Sequence, residues 1–168
     1  MIYENFFSIL TCLSCAVMLV VLPIEIARFP SKVRQIDLSK NKKNKPTKKY
    51  FEECFIKLQL RLIAITVCFY AIVSISFSFS SIPQDYDFKD FNNVVAICVL
   101  CWIVSVFVGG IVLAEYFMNT AKKISSEKND LSAGFIQGRY HFVIGAIICF
   151  FTGFAIILAI ADLLYLLS

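Results

Sequence analysis

Four long apolar runs, nearly free of charge, constrain this chain more than any other feature. They fall near Phe6–Ile26, Leu62–Ser80, Val94–Phe117 and Phe142–Leu167. Each reaches the ~20 residues that carry a helix across a hydrocarbon core of about 30 Å. No water is present at mid-bilayer to satisfy backbone amides, so the runs are expected as helices. Composition excludes a soluble alternative. Of the 168 residues 59% are apolar and 17% charged, with mean hydropathy +0.77, whereas ordinary domains are about 25% charged. A soluble fold of this size would expose large apolar patches. The sequence therefore predicts an all-α integral membrane four-helix bundle, a single membrane domain over residues 1–168 with no separate soluble domain. The first run has no Lys or Arg before it and no small-x-small site at a suitable place after it, so it is expected as a retained helix.

Charge orients the spans. Residues Arg28–Arg61 hold eleven Lys or Arg against Asp37, Glu52 and Glu53, a net +8. The connection Met118–His141 carries +2, and Ser81–Asn93 carries −2. Basic connections stay in the cytoplasm, so both termini are expected outside, with 28–61 and 118–141 inside. Almost all the polar mass then lies on the inner face.

Within the first inner connection, Ser31–Lys49 is polar and basic and reads as flexible. After Pro46, Thr47 is a candidate helix cap. Tyr50, Phe51, Cys54, Phe55, Leu58 and Leu62 then recur at helical spacing. The second helix is expected to start near Lys48, giving a cytoplasmic stalk of about 20 Å. The third is expected to continue through Lys122 and Lys123 to about Ser126.

The polybasic residues Lys40, Lys42, Lys43, Lys45, Lys48 and Lys49 have two readings. One is topology plus attraction to the anionic inner leaflet, worth about 1 kcal/mol per basic residue at the surface. The other is a docking face for an acidic cytoplasmic protein. Few aromatics interleave the run and Lys outnumbers Arg, so direct nucleic-acid binding is not expected.

Ionisable residues inside spans are costly and call for a role. Glu25 has Arg28 one turn on as its expected partner. Glu115 lies at about the same depth as Arg61 and Lys57 and is expected to form an intramembrane charge pair with Arg61, the alternative role being a water-filled path or switch. Asp162 is near the outer end of the fourth helix, within snorkelling reach of the surface. The lone His141 sits at the inner boundary and reads as interfacial.

Small residues mark helix contacts. Gly145, Cys149 and Gly153 recur every four residues, a pattern that permits close backbone approach in lipid. They suit the intramolecular bundle, a homo-oligomer interface, or both. Ser74 with Ser78 and Ser76 with Ser80 repeat the spacing, and Gly109–Gly110 is expected to interrupt the third helix. Two Cys-x-x-Cys pairs, Cys12/Cys15 and Cys98/Cys101, have poor disulfide geometry within a helix and read as packing residues. No Cys/His metal spacing, phosphate-binding Gly loop or hydrolase elbow appears. No catalytic residue, cofactor or metal is expected.

Three function classes fit: a membrane sensor or anchor that recruits a cytoplasmic partner, an oligomeric pore or transporter, and an immunity protein against a pore-forming toxin. In its four-span hydropathy plan and its lysine-rich inner loop, residues Arg28–Arg61, the chain resembles the membrane subunit of the two-component Kiwa antiphage system. The Lys/Asn/Ile/Phe-rich composition is compatible with an AT-rich bacterial gene. The resemblance implies a small four-helix protein of the bacterial inner membrane that works with a cytoplasmic partner in antiviral defence. It assigns no site residue.

Overall fold

The computed structural model describes residues 5–40, 48–80, 91–126 and 138–167. The chain is all-α, with helices α1 (Phe6–Lys40), α2 (Lys48–Ser78), α3 (Phe91–Ser126) and α4 (Gly138–Leu167). Each contains a segment long and apolar enough to cross a membrane: Phe6–Gln35, Glu52–Ser78, Ala96–Lys123 and Arg139–Leu167. This is a multi-pass membrane protein built as a four-helix bundle with helical extensions. α2 begins at Lys48 and α3 ends at Ser126, as the spacing and charge of those segments predict.

α1 departs from the expectation of a span ending near Ile26 and a flexible stretch from Ser31. It stays helical to Lys40, through both Pro23 and Pro30. A proline removes an amide donor and crowds the carbonyl four residues back. Packing overrides this cost here, because Phe29 and Val33 on the extension are buried against α2 and α3. A second compensation is polar: the Tyr116 hydroxyl donates to the Ile26 carbonyl at 2.8 Å, the acceptor that Pro30 leaves without its helical amide.

Helices α1, α2 and α4 pack pairwise on one another, and α3 packs chiefly on α4. Two buried apolar clusters run along the bundle. One lies toward the basic end and joins Leu22, Phe29, Phe55, Leu62, Phe117, Ile144 and their neighbours. Phe29 anchors it, its ring 5.0 Å from both Phe55 and Phe117. The other, toward the opposite end, gathers Cys15, Met18, Val73 and Ala155. The remaining surface is apolar. On α3, Ile97, Leu100, Val104, Phe107, Val108, Ile111 and Val112 are each more than half exposed. In water such a face would be untenable, whereas in hydrocarbon it is the ordinary lipid-facing side.

Candidate functional site

The basic end carries the predicted docking residues. Lys40 is the last residue of α1, and Lys48 and Lys49 open α2. Lys42, Lys43 and Lys45 lie outside the described residues. Beneath these helix ends the Phe29–Phe55–Phe117 cluster ties α1, α2 and α3 together. Between α1 and α3 a groove of about 260 Å³ is lined by Pro30, Arg34, Tyr116, Asn119, Thr120 and Lys123.

The charges near this end pair differently from expectation. Glu25 forms a hydrogen-bonded ion pair with Lys32, two helical turns on, rather than with Arg28. Arg61 and Arg28 add more distant positive charge around the same carboxylate. No ion pair links Arg61 and Glu115, and both side chains are exposed. Equal depth was not enough, because α3 packs on α4 and leaves no extended contact with α2.

The small-residue stripe of α4 meets α3 of the same chain. Gly145 packs so closely that a Cβ there would lie 2.8 Å from the Gly110 carbonyl oxygen. Cys149 lies against Gly109, and Trp102 covers Gly153. The Trp102 indole N–H also donates to the Phe150 carbonyl at 3.0 Å. Gly109 and Gly110 do not interrupt α3, which is continuous through them; they clear space for α4. On α2, Ser78 bonds back to the Ser74 carbonyl at 2.8 Å, a use of the hydroxyl within its own helix. All seven cysteines are free thiols.

Two buried polar sites were not anticipated. His141 is fully buried rather than interfacial, and its Nδ1 lies 2.9 Å from the Gln59 side-chain nitrogen. Phe55 and Phe117 flank the imidazole at 5.8 and 6.3 Å. The bond therefore crosses from α2 to α4 inside the apolar cluster, where an unmet polar group would be costly.

The second site lies at the opposite end. Asp162 does not snorkel; it is 0% exposed and turns into the bundle. Ser8 Oγ, also fully buried, lies 3.3 Å from Asp162 Oδ1. The hydroxyls of Thr11 and Ser80 reach the same carboxyl from α1 and the end of α2. Asp162 Oδ2 is buried without a hydrogen-bond partner. The neighbouring Cys12 thiol donates to the Ala159 carbonyl at 3.5 Å. A sequence signal existed: Ser8, Thr11, Ser80 and Asp162 sit at similar depth near the ends of three apolar runs.

Compared with known protein families, with curated proteins and with solved structures, the chain matches none.

Proposed function

We infer that the chain is a small sensor or anchor of the bacterial inner membrane, which recruits or signals to a cytoplasmic protein through its basic face in antiphage defence. Both termini face outward in this reading, and the lysine-bearing helix ends face the cytoplasm, where anionic lipid also attracts them. The observation that carries it is the continuity of the basic end with the membrane bundle. Phe29, Phe55 and Phe117 pack the helical extensions into the same buried cluster as Leu62, Ile144 and Ile148. A helix displacement in the bilayer is thereby transmitted to the ends that bear Lys40, Lys48 and Lys49. A partner with different affinity for the two arrangements reports the change. The chain also self-associates in this reading, through a surface other than the Gly145/Cys149/Gly153 stripe, which α3 occupies.

The test replaces Lys42, Lys43, Lys45, Lys48 and Lys49 with Gln, with insertion checked separately. Protection of cells from phage is measured together with co-purification of a cytoplasmic protein with this chain in detergent. The variant should lose both, with the largest loss of binding at low salt, where attraction is least screened. A correctly inserted variant that binds and protects like the parent would refute the docking role.

A further inference from the structure

The geometry points to a binding site for a small monovalent cation, with the size and hardness of Na⁺, at the Ser8–Thr11–Ser80–Asp162 cluster. The argument begins with charge. Asp162 is fully buried, and one of its oxygens has no partner. An ionised carboxylate in such a place needs a counter-charge. Among the described residues no side chain supplies one, since every described Lys and Arg lies in 28–61 or 122–139, toward the other end of the bundle.

The hydroxyls give the second line. Each Ser or Thr side chain has one proton to donate and two lone pairs to offer. Thr11 Oγ1 lies 2.9 Å from the Phe7 carbonyl, and Ser80 Oγ lies 2.7 Å from the Phe77 carbonyl. Both hydroxyls also reach the Asp162 carboxyl; a hydroxyl whose proton stays on its backbone carbonyl keeps lone pairs to offer a cation at that carboxyl. Ser8 Oγ donates to Asp162 Oδ1 at 3.3 Å, and its two lone pairs remain for a cation beside that oxygen.

The donor set selects the class of ion. Carboxylate and hydroxyl oxygens are hard ligands and suit hard cations rather than soft ones. One carboxylate with neutral oxygens is balanced by a single positive charge, whereas a divalent ion would leave a net charge in hydrocarbon. The Cys12 sulfur, engaged with Ala159, is not needed as a ligand.

The experiment is thermal unfolding of the purified full-length protein in detergent, at constant ionic strength, in sodium chloride or choline chloride. Sodium at ~100 times its dissociation constant should raise the midpoint by several degrees, saturably. Asp162→Asn should remove the difference between the salts. Should that variant fail to fold, Ser8→Ala combined with Thr11→Ala serves instead, and should shift the sodium titration at least about tenfold to higher concentration. Equal midpoints of the parent protein in sodium and choline would overturn the proposal and leave a proton as the occupant of Asp162. A sodium effect unchanged in folded Asp162→Asn, or an unshifted titration in the Ser8/Thr11 variant, would overturn it as well.

Discussion

Tyr116 of α3 completes a hydrogen bond that Pro30 of α1 denies to its own helix. The carbonyl of Ile26 stands four residues before Pro30 and receives the Tyr116 hydroxyl at 2.8 Å. α1 continues past the proline because another helix meets the exposed acceptor.

The pairing predicts a specific double-mutant result. Tyr116→Phe should cost about 1 kcal/mol by leaving the Ile26 carbonyl unmet. In a Pro30→Ala background the restored amide serves that carbonyl, so the same change should be nearly neutral. Unfolding in detergent measures both. An equal cost in the two backgrounds would show that the hydroxyl does not act on this acceptor.

The α3–α4 seam predicts an intramolecular defect. Gly145→Leu drives side-chain atoms into the Gly110 backbone, which has nowhere to retreat, and should destabilise by about 1–3 kcal/mol. Val104→Ala, on the exposed face of α3, should change stability by less than about 1 kcal/mol. If Gly145→Leu altered the oligomer measured by native mass spectrometry while leaving thermal stability intact, the seam would belong to a subunit contact instead.

Charge placement predicts which substitutions interact. Arg61→Gln and Glu115→Gln should have effects that add to within about 0.5 kcal/mol, since the residues do not meet. Glu25→Gln and Lys32→Gln should fall short of additivity, because either change alone removes their ion pair. A strong coupling between Arg61 and Glu115 would place α2 beside α3 in the working protein.

Orientation is open to direct chemical labelling. In a cysteine-free background, single cysteines replacing Ser39, Asp87 and Ser126 should react differently with an impermeant reagent on intact cells. Asp87→Cys should label without permeabilisation, and the other two only after it. Labelling of Ser39→Cys in intact cells would reverse the proposed topology.

The helices themselves were legible because hydropathy and helical spacing are local properties. The extension of α2 could be read from the recurrence of Phe51, Phe55, Leu58 and Leu62. That of α1 could not, since Pro23 and Pro30 argue locally for a stop. What sustains it is nonlocal: burial of Phe29 and Val33, and a hydroxyl from α3. Depth along the bilayer was also readable, but order around the bundle was not. That is why Arg61 and Glu115 looked like partners, although α4 rather than α2 lies along α3. The same gap hid Asp162 and His141. A position near a helix end is compatible with snorkelling or with burial, and only the placement of α1 and α2 decides that these two side chains face inward.

Trp102 is the sole tryptophan of the chain, and it sits where α3 meets α4. Its ring centroid is 4.9 Å from that of Phe150 and 5.4 Å from that of Phe154. Emission excited at the red edge of the indole ultraviolet band, where the seven tyrosines do not absorb, therefore comes from a single address, free of the averaging that several indoles would impose. Colour and lifetime at that address respond to the polarity around the indole and to loss of its bond to the Phe150 carbonyl. The molecule thus carries an intrinsic optical gauge of the packing between two of its helices, readable in detergent or in vesicles without attaching a dye.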